Sequence, residues 1–172
     1  MSRGGWRVRR AVAEDWRASR GIRLLALAEA PLAFASTYQR EIAFGDQTWR
    51  DRIERSAQFL AETAAGEVVG TATGFRDPDA PGTSLLVAMF VAQPARGQGV
   101  GERLVAAVVD QARRDGADRV LLHVVETNLG AERLYARCGF VRTGATLRLP
   151  HRPDLIEHEM VLSLADRVGG SN

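Results

Sequence analysis

Six residues, Arg96-Gly97-Gln98-Gly99-Val100-Gly101, stand between a nearly continuous apolar run at 84–91 and a segment of helical spacing at 101–115. In a strand-to-helix turn of this kind the first backbone N–H groups of the helix have no partner inside it. Together with the positive end of the helix dipole they form a cradle for an anion, and glycine lets the backbone approach that anion without a Cβ in the way. The chemistry on offer is phosphate binding, and a pyrophosphate-bearing cofactor is the natural guest. A glycine turn used only for its conformation looks the same in sequence. Spacing removes two nucleotide-binding alternatives. The third glycine of the dinucleotide fingerprint would fall at Leu104, and no Lys-Ser or Lys-Thr pair follows to complete a P-loop.

Other reactive side chains are few. Cys138 is the only cysteine and no Cys/His cluster has metal-ligand spacing, so the sequence calls for neither an intramolecular disulfide nor a metal. Ala131, Leu134, Tyr135 and Cys138 fall at i, i+3, i+4 and i+7, a stripe that by itself reads as a packed helix face. Cys138 on that stripe is a small hydrophobe with no identifiable activating partner.

Strands and helices must carry these groups. Residues 6–10 alternate as a strand, and 13–30 have helical spacing up to Pro31. Residues 34–56 read as a second helical region that concentrates Phe34, Tyr38, Phe44 and Trp49. Residues 58–62 and 67–75 form a hairpin about Ala65-Gly66, and the Asp/Pro/Gly segment 77–82 is a loop. The run 84–91 suits a strand buried on both faces. Leu104, Val105, Val108, Val109 and Ala112 make 101–115 an amphipathic helix that stops at Gly116. A strand at 119–125, a short helix at 129–137 and strands at 140–143 and 155–164 follow. No repeat or linker divides the chain, which predicts one domain over 1–166 and a flexible Gly/Ser tail at 167–172.

The bulk numbers fit an ordinary globular domain: 172 residues, 45% hydrophobic, 26% charged. All 23 basic residues are arginine, a bias that reads as genome-wide. They are interleaved with acids and leave a net charge of only +2, which argues against a nucleic-acid partner. Basic residues near the start are followed by Glu14 and Asp15 and not by an apolar stretch, and no run approaches the ~20 residues of a membrane span. No membrane association and a cytoplasmic location are the expectations.

With residues 91–101 (Val-Ala-Gln-Pro-Ala-Arg-Gly-Gln-Gly-Val-Gly) in view, the chain resembles the GNAT superfamily of acyl-CoA-dependent N-acetyltransferases. Arg96, Gly99 and Gly101 occupy the places of that family's cofactor signature. Downstream, Asn128, Ala131, Leu134, Tyr135, Gly139 and Phe140 reproduce its second block. The matched stretch covers about residues 85–140.

The resemblance implies an α/β (α+β) fold with a central mixed, mostly antiparallel, splayed sheet and helices on both faces. Its two middle strands part into a V that holds acetyl-CoA as co-substrate. It implies an enzyme transferring acetyl to a primary amine of a small molecule by direct attack in a ternary complex, without a metal. The amides of Gln98, Gly99, Val100 and Gly101, in the turn with Arg96 and Gly97, would hold the pyrophosphate. Met89 and Val91 would contact pantetheine through their backbone, and Asn128 the cofactor arm. Phe34 and Tyr38 would help cover the acceptor, and dimerisation is a habit of the family.

The same resemblance gives Tyr135 a role beyond packing, facing the sulfur. A phenol of pKa ~10 stays protonated at neutral pH and can protonate a departing thiolate of pKa ~8.5. Relatives that acetylate protein N-termini carry a Glu twelve residues before the Tyr, where this chain has His123, on the strand face of Leu121 and Val125. An imidazole titrates near neutrality and can act as the base, directly or through water; a satisfied core histidine is the other reading. Leu85 and Val87 stand where other relatives place a base, and Glu126, His158 and Glu159 are further candidates. Two other functions are an acetyltransferase for a protein N-terminus or side chain, and a non-catalytic acyl-CoA-binding sensor module.

Overall fold

The computed structural model describes residues 5–165, so the tail expected at 167–172 lies outside the described residues. Seven strands form one sheet in the order β1-β2-β3-β4-β5-β7-β6. The predicted hairpin is present as β2 (Ala57–Thr63) and β3 (Val68–Arg76), and β1 (Trp6–Arg10) adds to it antiparallel. On the far side β5 (Arg119–Val125) pairs antiparallel with β7 (Arg152–Ser163), which pairs with β6 (Val141–Leu149).

The two halves meet at β4 (Thr83–Val91), antiparallel to β3 and parallel to β5. The parallel pairing lasts only from Thr83–Arg119 to Leu85–Leu121, after which the strands diverge. Opposite β3, β4 carries one extra residue, because Thr71 pairs with Phe90 while Thr73 pairs with Val87. Ala88 lies within this bulge with φ +53°, a left-handed conformation costly for a residue with a Cβ. The expectation that β4 is buried on both faces fails here. Val87 is 39% exposed because β5 has moved away from that edge.

Helices cover both faces. α4 (Val100–Arg114) buries Leu104, Val105, Val108, Val109 and Ala112, the stripe predicted from the sequence, together with α5 (Leu129–Arg137). On the other face α1 (Trp16–Glu29), α2 (Tyr38–Ile42) and α3 (Asp46–Glu54) enclose Trp16, Ile22, Leu27, Trp49 and Ile53 against Leu60 and Phe90.

The helical region expected at 34–56 is two helices. Thr37 caps α2 by accepting from Arg40 N at 3.3 Å, Gly45 caps α3 in an extended conformation, and Phe34 stays extended outside both. The strand expected at 140–143 runs on to Leu149. Gly144 at φ +93° and a register shift break its alternation, but pairing with β7 resumes at Thr146. β7 likewise starts at Arg152, since a proline as second residue of the strand removes only a terminal ladder donor.

Candidate active site

Divergence of β4 from β5 opens a notch of about 580 Å³. At one end lies the start of α4. Gly97 and Gly99 take φ of +73° and +81°, with open space where a Cβ would project. Gly99 is the N-cap and supplies no side-chain cap, and the first intrahelical bond is Arg103 N to Gly99 O. The N–H groups of Val100, Gly101 and Glu102 therefore have no partner within the helix. Unpaired N–H groups at a helix N-terminus are of the kind that receive an anion. Gln98 turns its side chain away, donating from Nε2 to Pro94 O at 3.0 Å.

Gly101 differs from the other two glycines. It is buried, and a Cβ there would sit 2.9 Å from Leu134 Cδ2 and 3.4 Å from Met89 Cε. Its missing side chain lets α4 and α5 approach each other. A glutamate at 101 would therefore have to displace Leu134, so it would disturb the packing of α4 on α5 as well as the turn.

Arg96 folds back along the notch. Its Nε donates to Val91 O at 2.8 Å and its Nη2 lies 3.7 Å from Glu29 Oε2. This closes the base of the turn against β4 and α1 and occupies the Val91 carbonyl. Met89, Val91, Arg96, Gly97, Gly99, Val100, Gly101 and Asn128 all line the notch. Asn128 caps α5, with Oδ1 accepting from Ala131 N at 3.2 Å, so its Nδ2 donors are what a ligand can use.

Tyr135 and His123 reach the notch from opposite sides of the sheet. Tyr135 is 6% exposed and lies edge-on to Phe140, 6.1 Å between centroids. Burial, and then the neighbouring Cys138, push its phenol well above the ordinary 10.0. His123 is half-buried, with Nε2 3.6 Å from Glu159 Oε2, and the other oxygen of Glu159 accepts from Thr143 Oγ1 at 2.8 Å. The imidazole thus lies at the notch with a carboxylate behind it and not in the apolar core. His158 pairs with Val124 and falls on the other sheet face, and Glu126 is occupied in accepting Ile156 N at 3.2 Å.

Two features here escape sequence reasoning. Glu159 stands opposite His123 only through the β5–β7 register. The bulge at Ala88, a residue with no turn preference, lets Val87 and Ala88 line both the notch and a second cavity under α1 and α3. Of the aromatic segment, Phe34 reaches the notch, Trp49 lies in the core, and Tyr38 lines a separate cavity beside His151 and Arg152. Among the described residues no cluster of three or more His, Cys, Asp or Glu could hold a metal, and no helix is long and apolar enough to cross a membrane.

A splayed mixed sheet with an open helix N-terminus at the notch is the arrangement that the acetyltransferase resemblance implies. Residues 13–140 match the model of the Acetyltransferase (GNAT) family, and the chain belongs to that family. A GCN5-related N-acetyltransferase from Kribbella flavida superposes with a TM-score of 0.75 at 27% identity, over 92% of this chain and 98% of that one. Among curated proteins, the chain is 41% identical over 69 residues to the mycothiol acetyltransferase of Salinispora arenicola, 40% of this chain and 22% of that protein. It is 32% identical over 94 residues to rat (Rattus norvegicus) N-acetyltransferase 8, 53% of this chain and 42% of that protein. The matched stretches span less than half the length of each of these curated relatives.

Proposed function

We propose that this chain transfers an acetyl group from acetyl-CoA, held in the notch, to a primary amine of a small molecule by direct attack with both substrates bound. The observation that carries this reading is the convergence of the open α4 N-terminus, Tyr135 and His123 on one cavity. In the transfer the amine nitrogen bonds to the thioester carbonyl carbon, the carbon–sulfur bond breaks, the amine gives up one proton and the sulfur takes one.

The N–H groups of Val100, Gly101 and Glu102 bind and orient the pyrophosphate, and Gly97 and Gly99 keep their positions free of Cβ atoms. Asn128 donates to the cofactor arm. Tyr135, held protonated by burial, donates a hydrogen bond to the sulfur as charge grows there. A thiol of pKa ~8.5 is the stronger acid, so the phenol acts mainly by this bond, and any proton it gives is replaced from solvent. His123 accepts the amine's proton, directly or through one water, with the Glu159 carboxylate 3.6 Å from its Nε2. Partial burial raises the Cys138 thiol, which disfavours the thiolate that a nucleophile would need. The second cavity, about 470 Å³, has the size of a small-molecule site. A reducing cytoplasmic setting suits this thiol.

The test is calorimetry with acetyl-CoA followed by a screen of small amines reading released CoA thiol. Stoichiometric binding and amine-dependent thiol release are expected. Absence of binding overturns the reading, and binding without turnover for any amine makes the chain a sensor module.

A further inference from the structure

An acceptor has to approach the thioester from the side that the cofactor leaves open. Val87 and Ala88 give that access, since the second cavity begins at these two residues on the face covered by α1 and α3. Its polar floor is internally satisfied. Ser19 Oγ donates to Gln58 Oε1 at 2.8 Å, Gln58 Nε2 to Thr71 Oγ1 at 3.0 Å, and Thr71 Oγ1 to Phe59 O at 3.1 Å.

The cavity's charged wall is not satisfied in this way. Arg23, Arg52 and Arg55 line it with Asp51. Behind them the fully buried Glu41 takes two hydrogen bonds from Arg23, at 2.9 and 3.0 Å, and one from Arg52 Nη1 at 2.8 Å. Three guanidinium groups against two carboxylates leave one positive charge in excess. Arg52 spends a single Nη on Glu41, and its side chain is 42% exposed. Arg55 approaches Asp51 only to 3.8 Å and is 82% exposed, while Asp51 also accepts from Gln47 Nε2 at 2.7 Å. Arg52 lies in the last turn of α3 and Arg55 is its C-cap, still in the helical conformation, so their free donors, three residues apart, project from neighbouring parts of that helix end. Trp49 lines the same wall, and its Nε1 is the buried side-chain polar atom without a partner among the described residues.

We propose that this cavity binds the acceptor and selects a small amine that also carries a carboxylate, as an amino acid does. The carboxylate lies on Arg52 and Arg55 and the amine points past Val87 and Ala88 toward His123. One unit of excess charge matches a monoanion, and guanidinium groups with unused donors bind carboxylates in pairs of hydrogen bonds. The inference rests on the acetyltransferase reading above and names the substrate class of that site.

The experiment compares kcat/KM, with saturating acetyl-CoA, for amino acids and for the same amines with the carboxylate esterified or removed. Wild-type protein should prefer the carboxylates by roughly tenfold or more, the discrimination expected for a charge-assisted pair. In Arg55→Gln, which removes an exposed side chain and should melt with the wild type, the preference should shrink toward unity through a raised KM. Arg55→Glu should invert it. Turnover that shows no carboxylate preference, or a preference that survives Arg55→Glu, overturns the substrate class and leaves the transferase standing. Absence of acetyl-CoA binding, or of turnover with every amine, overturns the transferase reading itself.

Discussion

His123 Nε2 lies 3.6 Å from Glu159 Oε2 because the antiparallel β5–β7 register sets the two residues opposite each other at the edge of the notch. Thr143 holds the carboxylate's second oxygen, so the imidazole has a fixed neighbour. If His123 takes the amine's proton, kcat/KM should rise with pH through an ascending limb that depends on this residue. His123→Gln should flatten that limb. Glu159→Gln should keep it while lowering the rate several-fold through a looser ring. A folded His123→Gln protein with an unchanged profile removes the imidazole from the mechanism.

Tyr135→Phe keeps the ring against Phe140 and removes only the hydroxyl. Turnover should fall by roughly 10²-fold while acetyl-CoA affinity, read by calorimetry, changes little. Burial raises the phenol above its ordinary 10.0, so the wild-type rate should show no descending limb from this group up to about pH 10. Wild-type turnover in the Phe variant would make Tyr135 a packing residue.

The anion cradle is best tested at Gly99, where a Cβ meets open space but φ is +81°. Asn and Asp are nearly isosteric and tolerate this conformation better than other side chains. Gly99→Asn should keep much of the acetyl-CoA affinity. Gly99→Asp, which sets a negative charge beside the pyrophosphate, should lose roughly tenfold or more relative to Asn. Equal affinities would place the pyrophosphate elsewhere. Gly101→Glu should instead lower the melting temperature, because a buried side chain there collides with Leu134.

Glu41 predicts an acid limit to stability. Burial alone would raise its carboxyl, but hydrogen bonds from Arg23 and Arg52 outweigh that and hold it at about 2, below the ordinary 4.5. Because the folded value lies below the unfolded one, the contribution is complete above about pH 4.5 and is lost as the pH falls toward 2. Its size at neutral pH is on the order of 3 kcal/mol. Denaturant unfolding should show Glu41→Gln strongly destabilised at pH 7, with the gap to wild type narrowing by pH 3. A gap independent of pH would mean that the carboxylate's charge is not what stabilises.

Sequence alone determined the local pieces that periodicity and turn chemistry encode. The α4 stripe, the β2–β3 hairpin, the glycine turn and the two family blocks were legible because each depends on residues close together in the chain. It also identified the family and the splayed mixed sheet, since those blocks mark the strand and helices that bound the notch.

Only the tertiary structure decided which groups meet. The parting of β4 from β5 after Leu85 and Leu121 is a property of strand pairing, which no single strand's pattern records. The same divergence left Val87 exposed in what reads as a fully buried strand, and the bulge placed Ala88 at φ +53° without a glycine to announce it. Glu159 reached His123 through register, and Arg23, Arg52 and Glu41 came together from three separate helices. Gly101 shows the division within one residue. Its place in a glycine turn is local and readable, but the 2.9 Å approach to Leu134 that a side chain would meet exists only once α5 packs beside α4.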